Sequence, residues 1–166
     1  MPFWAGFRPN SGLHMKSVKL VTRNPQETVL LGKDLAKKLK PGHIVCLFGE
    51  LGSGKTTLVK GIAKGLNIKE SQVNSPTFVF MNIYEGRHPL YHFDLYRVER
   101  PEEIGGLGYE EFLFDEGVSV IEWAERLGDL MPKEYLAVHM TIGKNQERFM
   151  RIEASGKAYA PFVEYL

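Results

Sequence analysis

The motif GELGSGKTT, residues Gly49 to Thr57, is the strongest indication of the fold in this sequence. It fits the phosphate-binding pattern G-x-x-x-x-G-K-[ST], whose fixed positions here are Gly49, Gly54, Lys55 and Thr56. The apolar run 44–48 precedes it as a buried strand would, and Leu58, Ile62 and Leu66 follow at the four-residue spacing of one helix face. The sequence therefore predicts a phosphate-binding loop (P-loop) between a buried strand and an amphipathic helix.

The residue types in this loop suit the tail of a nucleoside triphosphate. Glycine allows a tight turn that aims successive backbone N–H groups inward, and the new helix adds the positive end of its dipole. Lys55 can reach the terminal phosphates, and the Thr56 hydroxyl can ligate a bridging Mg²⁺. The residues predicted to bind the nucleotide are Glu50, Leu51, Gly52, Ser53, Gly54, Lys55, Thr56 and Thr57. A glycine-rich turn with an incidental lysine is the alternative, which both flanks disfavour.

Length and composition predict one globular domain. The chain has 166 residues, of which 43% are hydrophobic and 25% charged, close to the averages of globular domains. Residues 1–14 lack any periodic pattern and end at a His14-Met15 pair, so we interpret them as a vector-derived or alternative-start leader before a single domain over 15–166. Cys46 is the single cysteine, which excludes an internal disulfide. No apolar run approaches the roughly 20 residues of a membrane span, and we expect a cytoplasmic protein.

Further strand patterns predict a mixed sheet. Two hairpins are expected, one from Thr77–Tyr84 with Leu90–Tyr96 and one from Tyr135–Ile142 with Arg148–Ile152. A helix is expected from the capping pattern Asn24–Glu27 to about Leu39. Parallel strands around the P-loop together with hairpins indicate an α/β fold, a three-layer P-loop NTPase whose mixed central sheet contains antiparallel hairpins.

A carboxylate follows the second buried strand, Val118–Ile121. Glu122 is in the position where P-loop enzymes keep a second magnesium-associated carboxylate, although a solvated acid at a strand end is the alternative. We interpret Trp123, the next residue, as a packing residue. Thr77, in the turn 75–78, is a candidate for sensing the γ-phosphate in a switch-like loop.

The run HFDLYR, residues 92–97, supplies candidates for hydrolysis. In an extended chain His92, Asp94 and Tyr96 share one face. Asp94 is the candidate for orienting the attacking water, and Arg97 is the candidate cation beside the departing phosphate if the strand end twists. A polar strand face with an ordinary Asp–Arg surface pair is the alternative.

Taken in order, the motifs GELGSGKTT, SPTF, HFDLYR and VIEWAER resemble those of the bacterial TsaE (formerly YjeE) family, over about Leu20 to Ile152. The resemblance implies these roles: Lys55 and Thr56 bind the triphosphate and magnesium, Glu122 completes the metal site, Asp94 is needed for hydrolysis, and Thr77 lies in the switch-like loop. Trp123 matches a family tryptophan beside the metal carboxylate. Glu50 departs from the more usual aspartate but keeps its charge.

The same resemblance implies an activity and partners. TsaE proteins are Mg²⁺-dependent ATPases, weak alone and stimulated by partners, which turn ATP into ADP. They act with TsaB and TsaD in forming threonylcarbamoyladenosine (t6A) at adenosine 37 of tRNA, and they meet the tRNA only through that complex. Two other functions stay open for such a loop, a small-molecule kinase and a non-catalytic nucleotide switch that controls assembly. A GTPase is disfavoured because neither N-K-x-D nor D-x-x-G follows the loop.

Overall fold

The computed structural model of the chain describes residues 16–75, 80–114 and 116–164. Its strands are β1 Ser17–Thr22, β2 Ile44–Gly49, β3 Met81–Tyr84, β4 Leu90–Asp94, β5 Val118–Glu122, β6 Tyr135–Ile142 and β7 Arg148–Ser155. Its helices are α1 Pro25–Ala36, α2 Lys55–Gly65, α3 Pro101–Gly105, α4 Tyr109–Leu113 and α5 Pro161–Glu164. Short 3-10 segments cover Glu70–Gln72, Ala124–Leu130 and Lys157–Tyr159. The predicted leader and Thr77 lie outside the described residues.

The strands form one mixed sheet in the order β1-β7-β6-β2-β5-β4-β3. The P-loop strand β2 runs parallel to both its neighbours, β5 and β6, and β4 runs parallel to β5. The pairs β3–β4, β6–β7 and β1–β7 are antiparallel, which confirms both predicted hairpins and the mixed α/β fold.

Two apolar layers cover the sheet. On one face α1 and α2 pack through Leu35, Leu58 and Ile62, all fully buried. On the other face α3, α4 and the 124–130 segment pack against β2, β4 and β5. Cys46 lies in this second core with its side chain fully buried, so it fills space there. No helix within the described ranges is both long and apolar enough to cross a bilayer.

Helix α1 begins as its capping pattern predicts but ends earlier. The Asn24 side chain accepts a hydrogen bond of 2.9 Å from the Glu27 N–H, and Pro25 is the first helical residue. The helix ends at Ala36 rather than near Leu39, because the N–H groups of residues 37–39 bond to carbonyls only three residues back. This tighter last turn still buries Leu39, which is 2% exposed.

Three strand ends differ from the sequence-based boundaries. Strand β4 stops at Asp94 instead of Tyr96, because the Asp94 carboxylate accepts the Tyr96 N–H at 3.0 Å and turns the chain. Strand β5 includes Glu122. Strand β7 extends to Ser155 because it pairs along the whole of β6.

Candidate functional site

The ends of three parallel strands bring the candidate residues together. In the register of β5 with its neighbours, Glu122 pairs with Leu47 of β2 and with Asp94 of β4. The P-loop therefore leaves the sheet beside both carboxylates, at the carboxyl edge where α/β proteins bind ligands. An open cavity of about 610 Å³ lies there. The predicted site residues that line it are Leu51, Gly52, Gly54, Lys55, Thr56, Thr57, Asp94, Arg97 and Glu122.

Two glycines give the P-loop its shape. A Cβ on Gly49 would lie 2.5 Å from the Met140 carbonyl oxygen and 2.6 Å from Ser53 Oγ, so no larger residue fits between the loop and β6. Gly54 has a φ of +99° at the first turn of α2, a conformation that other residues rarely adopt. Ser53 is fully buried beneath the loop and does not line the cavity.

Lys55 is held at the floor of the cavity. Its Nζ donates to the carbonyl oxygens of Gly49 at 2.7 Å and Glu50 at 2.9 Å, and the ring centre of Trp123 lies 4.1 Å away. Burial lowers the pKa of Lys55, while the carboxylates around it, Glu122 foremost, oppose that shift. A buried ammonium among carboxylates and carbonyl oxygens is suited to exchanging these partners for phosphate oxygens.

Thr56 and Glu122 form the candidate metal site. Thr56 Oγ1 donates to Glu122, lying 2.9 Å from Oε1 and 3.1 Å from Oε2, and Ser75 Oγ lies 3.1 Å from the same hydroxyl. Glu122 is only 2% exposed, and His92 Nε2 lies 2.8 Å from its Oε1. An adjacent hydroxyl and carboxylate fit Mg²⁺, which takes oxygen ligands and keeps few from the protein when it binds phosphates. In the described part of the chain, no three His, Cys, Asp or Glu side chains are grouped to hold a metal by themselves.

Asp94 and Arg97 reach the same cavity. Burial raises the pKa of Asp94, and the neighbouring Glu122 carboxylate raises it further, against a hydrogen bond from the Tyr96 N–H. Because β4 ends at Asp94, the chain turns there, and Arg97 lines the cavity with Asp94 and Tyr96. Leu95, between them, is fully buried in the core.

Trp123 and Arg148 also line the cavity. Trp123, interpreted from the sequence as packing, has a left-handed backbone with φ +58° directly after Glu122, and its ring lies 5.0 Å from that of Tyr96. Arg148 was missed: it begins β7, and its Nη2 donates to the Gly52 carbonyl oxygen at 3.2 Å. In the sequence, Arg148 is marked only by its position at the start of a hairpin strand. That position points to the P-loop only when the strand order β2-β6-β7 is known.

Comparisons with known proteins agree with these features. The family model described as "Threonylcarbamoyl adenosine biosynthesis protein TsaE" matches residues 22–150. A protein named "tRNA threonylcarbamoyladenosine biosynthesis protein TsaE" from Bacillus subtilis (strain 168) is 40% identical, over 92% of this chain and 95% of the relative. Proteins of the same name are 38% identical in Treponema pallidum (strain Nichols), over 75% of this chain and 92% of the relative, and 43% identical in Nostoc sp., over 78% and 82%.

A solved structure has the same fold over most of the chain. The one described as "Crystal structure of Bacillus subtilus YdiB" superposes with a TM-score of 0.78 at 34% identity and covers 92% of this chain and 95% of that one. The resemblance found in the motifs is thus confirmed over most of the chain. This chain belongs to the TsaE family.

Proposed function

We propose that the protein binds ATP with Mg²⁺ in the P-loop cavity and hydrolyses it to ADP, in support of t6A formation at adenosine 37 of tRNA in the cytoplasm. The observation that carries the proposal is the meeting of Lys55, Thr56, Glu122 and Asp94 at one edge of the sheet, in a chain of the TsaE family. We assign the activity to a single domain, residues 15–166, and keep residues 1–14 as a leader.

The triphosphate would lie along the P-loop with its γ-phosphate toward β5 and β4. Loop amides and the Lys55 ammonium would bind its oxygens, because both are hydrogen-bond donors at the N-terminus of α2, where the helix dipole favours an anion. Thr56 and Glu122 would hold Mg²⁺, which when bound neutralises charge on the phosphate oxygens. Arg148 approaches the loop from the opposite side of β2, so its guanidinium would contact the nucleoside end of the ligand.

Hydrolysis needs a positioned water and a stabilised leaving group. Asp94 would accept a hydrogen bond from the water that attacks the γ-phosphorus, while the bond from that phosphorus to the oxygen of ADP breaks. Arg97 would stabilise the charge that develops on the phosphates. Thr77 is proposed to sense the γ-phosphate as part of a switch-like loop.

The family supports a role in an assembly. The relatives are named for tRNA threonylcarbamoyladenosine biosynthesis. We propose that the chain acts with TsaB and TsaD, that these partners stimulate a weak intrinsic ATPase, and that tRNA is met only through the complex.

Phosphate release tests this proposal. The purified chain would be assayed alone, with TsaB and TsaD, and with both plus tRNA and an activated threonylcarbamoyl donor, in the presence of Mg²⁺ and ATP. We expect slow release alone, faster release with partners, and t6A yields above one per complex only when the intact chain is present.

Other outcomes would support the other two functions. ATP binding without phosphate release in any mixture would favour a non-catalytic switch. Transfer of the γ-phosphate to a small molecule would favour a kinase.

A further inference from the structure

The metal-site carboxylate has a buried histidine behind it that the proposed function has not used. His92 is fully buried, and its Nε2 lies 2.8 Å from Glu122 Oε1. We propose that His92 is a positioning residue, which fixes the Glu122 carboxylate in the orientation that binds Mg²⁺. This inference rests on the proposed nucleotide site.

The strand register explains why His92 reaches this carboxylate. On β4, His92 and Asp94 are two residues apart, so their side chains share a face of the sheet. Asp94 is the direct partner of Glu122 on β5, and His92 is the partner of Val120, one step further from the cavity. The His92 side chain therefore approaches Glu122 from the β4 side of β5, whereas β2 and the P-loop lie on the other side of β5.

The hydrogen-bond pattern determines which way His92 works. An ionised carboxylate can only accept, so the 2.8 Å contact requires the hydrogen on Nε2. Among the described residues, the other ring nitrogen, Nδ1, is buried without a partner. A hydrogen on Nδ1 would leave a buried donor unpaired and would also turn Nε2 into an acceptor that faces the carboxylate, so this tautomer is the costlier one. The ring therefore donates one hydrogen bond, from Nε2 to Glu122.

This donor limits how Glu122 can turn. Oε1 accepts from His92 at 2.8 Å and faces the Thr56 hydroxyl at 2.9 Å, so the carboxylate is held from two directions. Among the described residues, the other side-chain hydrogen bonds of this carboxylate come from Thr56 alone. Removal of a group that orients a metal ligand typically costs 10- to 100-fold in metal affinity.

The chain provides a matched control for this residue. His139 on β6 is also buried, and its Nε2 lies 3.3 Å from Glu153 Oε2 on β7. That pair does not line the cavity. A substitution at His139 therefore reports the general cost of losing a buried histidine–glutamate contact in this sheet.

The test uses two amides of different reach. Gln can bring an N–H near the position of Nε2, whereas the Asn side chain is too short. Calorimetry would measure binding of the ATP analogue adenylyl imidodiphosphate to wild type, His92→Gln, His92→Asn and His139→Asn over a range of Mg²⁺ concentrations. His92→Leu, which also removes the donor, replaces His92→Asn if that variant does not fold.

We expect His92→Asn to raise the Mg²⁺ concentration for half-maximal binding by about tenfold or more, with metal-free affinity for the analogue unchanged. His92→Gln should recover part of the loss, and His139→Asn should match wild type. Equal Mg²⁺ dependence of His92→Asn and wild type would overturn the inference, as would an equal shift in His139→Asn. Absence of any binding by folded wild type would instead overturn the proposed nucleotide site itself.

Discussion

Two buried histidine–glutamate pairs lie in the same sheet, and they differ in what surrounds them. His92 and Glu122 join the parallel strands β4 and β5, with Glu122 2.9 Å from the P-loop threonine. His139 and Glu153 join the antiparallel strands β6 and β7, where Arg151 also pairs with Glu153 at 2.8 Å. The two pairs consist of the same residue types. Their positions in the sheet therefore distinguish them: His92 and Glu122 lie at the candidate metal site, whereas His139 and Glu153 form a structural contact.

The parallel half of the sheet, with β4 and β5, and the antiparallel half, with β6 and β7, also differ in the pKa shifts of their carboxylates. In the antiparallel half the pKa of Glu153 is lowered, first by the hydrogen bond with His139 and also by Arg151, although burial opposes the shift. At the carboxyl edge of the parallel half, burial and the nearby Glu122 raise the pKa of Asp94. Asp94 and Glu122 lie close together at the carboxyl edge of the sheet, and such neighbouring carboxylates favour binding of a cation. In the antiparallel half, Glu153 is already paired with His139 and Arg151. The comparison predicts that chemistry belongs to the parallel half and stability to the antiparallel half.

We expect the strongest loss of turnover from a substitution at Asp94. Asp94→Ala should lower phosphate release by roughly 100-fold or more, because a positioned proton acceptor contributes about that much to catalysis. ATP affinity should stay close to that of wild type. Phosphate release under saturating ATP, with the affinity measured separately by calorimetry, checks both. The control is Glu153→Gln, in the antiparallel half of the sheet. This variant should lose stability but keep its turnover, and a loss of turnover would contradict the assignment of catalysis to the parallel half.

The next effect is on nucleotide affinity. Lys55→Ala should weaken ATP binding by about 10- to 100-fold, since a hydrogen bond from a charged donor contributes about 1.5–3 kcal/mol. Lys60, on the same helix, does not line the cavity, so Lys60→Ala is the control. Calorimetric titration with ATP measures both variants, and similar affinities for the two would contradict the role of Lys55.

A substitution at Arg148 should have a smaller effect, and this residue connects the two halves of the sheet. Arg148 belongs to β7 but donates to the P-loop carbonyl of Gly52. Arg148→Ala should weaken ATP binding by about tenfold and leave turnover of the bound complex unchanged, since a single charged contact is lost far from Asp94. Arg148→Lys should recover part of the affinity. An effect on turnover alone would assign Arg148 to the γ-phosphate end instead.

The smallest effect is on stability. Both carboxylate oxygens of Glu125 are buried without a hydrogen-bond partner among the described residues, and burial raises its pKa. A carboxyl group with a raised pKa in the folded state destabilises the fold as pH rises from its unfolded pKa to its folded one. Glu125→Gln should therefore raise the free energy of unfolding near pH 7 by about 1 kcal/mol and lose this advantage at acidic pH.

Urea unfolding at pH 4 and pH 7 measures the change. The exposed Glu102→Gln is its control. An equal gain at both pH values, or no gain, would contradict the account of Glu125.

Local patterns in the sequence predicted much of the fold. The spacing of Leu58, Ile62 and Leu66 predicted the buried face of α2, and alternating strands around turn residues predicted both hairpins. These features depend on residues that are close together in the sequence, and periodic patterns are detected over this range. Glu122 was identified for the same reason, as the residue that closes a short buried run.

What the sequence missed depends on contacts between distant segments. Arg148 lies 96 positions from Gly52, and only the strand order brings them together. His92 was grouped with Asp94 on one strand face, but its contact with Glu122 comes from the β4–β5 register. The early end of β4 depends on one side-chain hydrogen bond at Asp94, which periodicity cannot predict.

Calorimetric titration of ATP into the folded protein, with and without Mg²⁺, tests whether the P-loop cavity binds ATP together with the metal. We predict saturable binding of one ATP per chain that tightens when Mg²⁺ is present, because Thr56 and Glu122 then contribute to the complex. No heat of binding from a folded sample at high Mg²⁺, or an affinity that Mg²⁺ does not change, would contradict it.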